Sequence, residues 1–165
     1  MILVAKSIKL PNGYYWDSSS VSHNREELNQ VINAIGKTIR LKKTSRQNFS
    51  ANNLFEVSWQ EVSFDNTGGI LAKSGNEIKC ISGTHTVMVS AFLQVLNGSS
   101  AHNYIYIRHN GNEYVSTDLN NGNPHLTVPV VLEEGDTVSV GSYSSVAGDI
   151  SDAYAWTGFC VTLLN

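Results

Sequence analysis

The sequence predicts a mainly β protein, with a C-terminal jelly-roll sandwich and a small N-terminal hairpin-plus-helix module. Three observations lead there. Strand-length runs separated by turns fill the chain from residue 54 onward, no helical period interrupts them, and the single helix-type pattern lies within the first 36 residues.

The first element is a hairpin. The runs Lys6-Ser-Ile-Lys-Leu10 and Tyr14-Tyr-Trp16 flank Pro11-Asn-Gly13, a turn whose Asn and Gly tolerate positive φ. Asn24 then stands three residues before Glu27 as in a capping box. Leu28, Val31, Ile32 and Ile35 follow at i, i+3, i+4 and i+7, which predicts a helix of about three turns closed by Gly36. A helix this short is marginal alone, so its apolar stripe is expected to pack on the hairpin or on its own copies in an oligomer.

Residues 37–53 carry five of the eleven basic side chains. A solvated linker or an exposed strand is the expectation, with anion binding as the sharper alternative. The domain boundary is accordingly expected near residue 45, between an N-terminal module (1–45) and a C-terminal domain (46–165).

The C-terminal domain shows nine runs of strand length: Leu54–Phe64, Ile70–Ala72, Glu77–Ile81, Thr86–Leu96, Tyr104–Arg108, Glu113–Ser116, Leu126–Leu132, Thr137–Ser142 and Ala155–Leu164. Turns such as Asn110-Gly-Asn112 and Glu134-Gly-Asp136 separate them. Val87, Val89, Ala91, Leu93 and Val95 alternate with mostly polar partners, as do Ile105 with Ile107 and Val138 with Val140. Each such strand therefore has one face to bury.

Composition narrows the function. Charged residues make up only 15% of the 165, and the net charge is −3, so the surface is polar through amides and hydroxyls and carries no general attraction for nucleic acid or anionic lipid. No apolar stretch approaches the ~20 residues of a membrane span. The opening Met-Ile-Leu-Val-Ala-Lys is too short for a signal h-region, so a chain made in the cytoplasm and not inserted in membrane is expected. Cys80 and Cys160 lie 80 residues apart inside apolar runs, which reads as free buried thiols, a disulfide between neighbouring strands being the alternative.

Catalysis has little to stand on. The histidines (23, 85, 102, 109 and 125) are scattered without metal-type spacing and sit mostly beside turns. No nucleophile elbow, phosphate loop or dinucleotide fingerprint occurs. Asp149 and Asp152 form the one local carboxylate pair outside the Glu133-Glu-Gly-Asp136 turn, and they fit a general acid/base pair, a calcium site or a plain polar loop. No enzyme and no cofactor are expected, with calcium at that pair left open.

Residues 60–165 resemble the trimeric jelly roll of complement-type globular heads and tumour-necrosis-factor-like proteins. The pieces that match are Val87–Leu96, Tyr104-Ile-Tyr-Ile-Arg-His-Asn-Gly111, Val130-Val-Leu-Glu-Glu-Gly-Asp-Thr-Val138 and Trp156-Thr-Gly-Phe-Cys-Val-Thr-Leu163. The sequence lacks the signal peptide and the Gly-x-y stalk that animal members of this class carry. Ile8-Lys-Leu-Pro-Asn-Gly-Tyr-Tyr-Trp-Asp17, with His23-Asn and the short helix, resembles the attachment modules of bacteriophage tail and baseplate proteins.

Together the two resemblances imply a virion receptor-binding protein. It would be a homotrimer that docks on other tail or baseplate proteins through residues 1–45 and binds a host cell-wall saccharide through its head. A structural baseplate or decoration subunit making only protein contacts is the second reading, and a glycan-processing enzyme the third. For the saccharide, Tyr143, Asp149, Asp152, Tyr154 and Trp156 combine carboxylate acceptors with flat rings in one connection, although Trp156 reads equally as core. His102, Tyr104 and Tyr106, or a seam between subunits, are the alternative locations.

Overall fold

The computed structural model describes residues 36–96, 102–120, 123–153 and 157–164, without the side chains of 118–120. The expected N-terminal hairpin and helix lie outside the described residues, and so do Leu28, Val31, Ile32 and Ile35 of the oligomerisation stripe. Residues 37–165 form one compact unit.

That unit is an all-β sandwich of antiparallel strands. One sheet has five strands in the order β11 (His125–Leu132), β7 (His85–Phe92), β14 (Gly158–Leu163), β1 (Thr38–Lys42) and β4 (Glu61–Asp65). The other runs β10 (Asn112–Asn120), β9 (His102–His109), β12 (Thr137–Ser144), β6 (Glu77–Cys80) and β5 (Leu71–Ser74), and β3 (Asn53–Glu56) also pairs with β12. A three-stranded sheet of β2 (Gln47–Phe49), β13 (Gly148–Ile150) and β8 (Val95–Leu96) completes the fold.

The alternation seen in the sequence is what fills the space between the sheets. Val87, Val89 and Leu93 meet Ile105, Ile107, Val138 and Val140 in one core, all wholly buried. Trp59 and Phe159 bring their rings to 5.8 Å within it. The expected turns form as their residues require. Asn110 (φ 51°) and Gly111 (φ 76°) make a two-residue hairpin between β9 and β10, and Gly135 (φ 97°) turns β11 into β12.

Four expectations are corrected. Residues 37–53 are no linker: β1 lies between β14 and β4 with Ile39 and Leu41 wholly buried, its charges Arg40 and Lys42 being confined to the outward-facing positions of the strand. The run 54–64 is two strands in two sheets, because the chain crosses the sandwich at Val57–Gln60 and plugs Val57 and Trp59 into the core as it goes. The run 86–96 breaks after Phe92 for the same reason, with β8 joining the three-stranded sheet. Residues 147–152 are not an open connection, since β13 pairs with β2 on one side and β8 on the other and buries Ile150 and Ser151. The expected boundary at residue 45 falls between β1 and β2, both inside the compact unit.

Cys80 and Cys160 are free thiols in different sheets, the first buried and the second half-buried. Burial pushes both thiols up from the ordinary cysteine value, which leaves them poor nucleophiles.

Candidate functional site

The outward face of the six-strand assembly carries a groove of about 610 Å³ where β3, β12, β9 and β10 lie side by side. Its floor begins with a glycine. Gly141 pairs with Tyr106, and a Cβ at that position would lie 1.9 Å from the tyrosine ring, so only a bare backbone lets the ring lie across the strand. Stretched over Gly141, Tyr106 donates its hydroxyl to the Phe55 carbonyl of β3 at 3.2 Å and is 2% exposed. Burial pushes the Tyr106 phenol up, partly opposed by Arg108. The Arg108 guanidinium stands 5.1 Å over the ring, capping it from the solvent side.

The next row outward forms a wall. Leu54, Tyr143 and Tyr104 are cross-strand partners in register, so their side chains share one face. The Tyr104 and Tyr143 rings meet edge to face at 5.4 Å and 66°. The Tyr143 hydroxyl donates to Asn52 Oδ1 at 3.1 Å, while the Asn52 backbone, at φ 55°, donates to the Ser144 carbonyl. These bonds hold the β2–β3 turn, with Asn52 and Asn53, as the rim of the groove. On the opposite side a bulge between Glu113 and Val115 leaves Glu113 and Ser116 lining the groove, while Tyr114 reaches the Pro129 carbonyl of the other sheet.

The five expected saccharide contacts are thus divided. Tyr143 lines the groove. Asp149 lies in β13 opposite Asn48 and Leu96, and Asp152 stands 3.7 Å from Arg46 in an exposed pair; neither is among the described lining residues. Tyr154 and Trp156 lie outside the described residues. Asp152 belongs with a buried cation instead. Lys43 is 2% exposed and donates to the Ser58 carbonyl at 2.8 Å, to Ser58 Oγ and to Gln47 Oε1. Desolvation lowers it to about 8, against the pull of Asp152.

Tyr104 and Tyr106, the alternative location, do line the groove, but His102 does not. Two signals for this were present in the sequence. Tyr-x-Tyr at 104 and 106 sets both rings on one face of a strand, and Gly141 inside a strand marks a close approach. Among the described residues no three His, Cys, Asp or Glu side chains are grouped to hold a metal ion.

Strand order and pairing define a tumour-necrosis-factor-like jelly roll. No protein-family model matches the chain, and no curated protein sequence matches it. Solved structures do. Murine APRIL superposes with a TM-score of 0.60 at 13% identity, covering 78% of this chain and 99% of that one. Eiger TNF from S. frugiperda gives 0.58 at 8% identity over 79% of this chain and 93% of its own, and pika GITRL gives 0.50 at 12% over 79% and 96%. At such identities the likeness is one of fold.

Proposed function

We propose that this chain is a virion receptor-binding protein of the phage tail or baseplate type, whose head binds a host-surface saccharide as a homotrimer. The observation that carries the reading is the groove of Tyr104, Tyr106 and Tyr143. Sugar rings present flat C–H faces to aromatic side chains and hydroxyls to amides and carboxylates, and this groove offers both at a volume typical of ligand sites. Its rings are held by the sheet register and by two tyrosine hydroxyl bonds, so little order is lost on binding.

The homotrimer has its own support. Val62 and Phe64 on edge strand β4 are 42% and 51% exposed, and Val131 on the opposite edge, beside Tyr114 of β10, is 55% exposed. Apolar surface on two different edges suits a head-to-tail ring, in which one edge of each copy meets another patch of the next. Three weak sites on one rigid body then gain avidity on a repetitive cell wall. The phage attachment role draws on the resemblance carried by residues 8–17, His23-Asn24 and the expected short helix.

A glycan array probed with the full chain tests the reading, with Tyr104→Ala and Tyr143→Ala as controls. Selective binding lost in both variants is the expected result, at ten-fold or more. Binding that survives them but disappears in Asp149→Ala/Asp152→Ala returns the site to β13 and its following residues. No binding to any glycan leaves the structural-subunit reading in place.

A further inference from the structure

Building on the saccharide reading, we infer that the groove takes uncharged saccharides and turns acidic ones away, and that Glu113 sets this choice. Among the described lining residues Glu113 is the one acidic or basic side chain. It is exposed, and its carboxylate makes no ion pair or hydrogen bond with another described residue. Its position follows from the bulge in β10, which sets it opposite Arg108 and on the groove side of the strand.

The surrounding charges reinforce it. Glu56 is the cross-strand partner of Gly141, and its charge reaches Tyr106 together with that of Glu113. The neighbouring cation, Arg108, is engaged over the Tyr106 ring, with Nη2 3.5 Å from the hydroxyl. Two carboxylates against one arginine leave the groove negative. A carboxylate or phosphate on a bound sugar at about 4 Å from Glu113 would lose roughly fivefold in affinity even at the dielectric constant of bulk water, and more inside the groove.

For a neutral sugar the same carboxylate is an asset. It has two oxygens able to accept from adjacent hydroxyls, and charge-assisted bonds of this kind are about twice as strong as neutral ones. The tyrosine wall takes the apolar face of the ring while Glu113, across the groove, takes its hydroxyl edge. Asn52 and Asn53 add amides at the rim.

The test is calorimetric titration of the full chain with neutral trisaccharides of glucose, galactose, rhamnose and N-acetylglucosamine, and with galacturonic acid trisaccharide and sialyllactose as acidic probes. The native protein is expected to bind at least one neutral probe and neither acidic one. Glu113→Gln should weaken the neutral probe about ten-fold and bring the acidic probes closer to it, and Glu113→Lys should favour them, with unchanged melting showing that both variants fold. An acidic probe bound by the native protein as tightly as the best neutral one, and lost in Tyr143→Ala, overturns the charge selection while leaving the groove a saccharide site. Neutral binding unaltered in Glu113→Gln overturns the role of this residue. Silence from the whole panel overturns the saccharide reading and this inference with it.

Discussion

The central strand of each large sheet carries a glycine overlain by an aromatic ring, and each ring is capped by an arginine. In one sheet these are Gly141, Tyr106 and Arg108; in the other they are Gly158, Phe92 and Arg40. The geometry is close, with guanidinium carbons 5.1 Å and 5.5 Å from the ring centres. The outcomes differ. Tyr106 is sealed at 2% exposure and tied through its hydroxyl to Phe55, whereas Phe92 has no polar atom to tie and remains half-exposed at the end of β7. One hydroxyl separates a ring tied to a neighbouring strand from one held by packing alone.

Replacing the glycines opens the widest gap between the two arrangements. A Cβ on Gly141 would lie 1.9 Å from the hydroxyl end of the Tyr106 ring, an end tethered to Phe55, while one on Gly158 would lie 2.6 Å from the untethered far tip of Phe92. Gly141→Ala should therefore cost about 3 kcal/mol and Gly158→Ala about 1 kcal/mol in chemical denaturation. Equal costs would mean that Tyr106 is no better anchored than Phe92.

Lys43 sharpens the comparison from the side of charge, since it is buried where the two arginines stay at the surface. Its folded value of about 8 lies below the ordinary 10.5, so between these the unfolded chain holds a proton that the folded chain has released, and stability rises with pH. From pH 8 to 9 the native protein should gain about 1 kcal/mol relative to Lys43→Met. Parallel stability profiles for the two proteins would show Lys43 to be solvated.

Tyr106→Phe makes the first arrangement a copy of the second. Loss of the bond to Phe55 should cost about 1 kcal/mol, read from the melting temperature. The raised phenol also has a pH signature. Its contribution is whole below the ordinary value of 10.0 and is lost as pH climbs through the higher folded value, so the native protein should weaken more steeply above pH 10 than Tyr106→Phe. The smallest effect belongs to the caps. Arg108→Met and Arg40→Met should each cost about 0.5 kcal/mol, and a cost above about 2 kcal/mol for either would reveal a burial that the geometry does not show.

The same contrast explains what could be read from the chain beforehand. The runs 86–96 and 137–142 are legible because their alternation and their turns, Asn110-Gly111 and Gly135, are local, although the first breaks after Phe92. Thr38–Lys42 has the same alternation, yet three basic residues within 40–43 mask it, and only the pairing with β14 more than a hundred residues away shows Ile39 and Leu41 to be core. Val57-Ser-Trp-Gln60 continues a strand pattern straight through the crossing between sheets, so nothing nearby marks the break. The site divides likewise. Tyr104, Tyr106 and Tyr143 were visible as aromatic positions, whereas Asp149 resembled a loop residue because its strand exists only through Asn48 and Leu96, both distant in sequence.

The Leu163 N–H donates to the Lys37 carbonyl at 2.8 Å, so the sandwich receives the chain and releases it at one end. β1, β7 and β12 lead away from that end into β2, β8 and β13, and the groove rim at Asn52, Asn53 and Tyr143 lies with them at the far end. A pull between something held in the groove and a tether at Lys37 therefore runs along β1. It loads the hydrogen bonds to β14 and β4 together, in shear, rather than peeling them apart one by one. Unfolding under force is governed by the rate of crossing that barrier. The sandwich is consequently arranged to bear tension applied between Lys37 and its far end along β1.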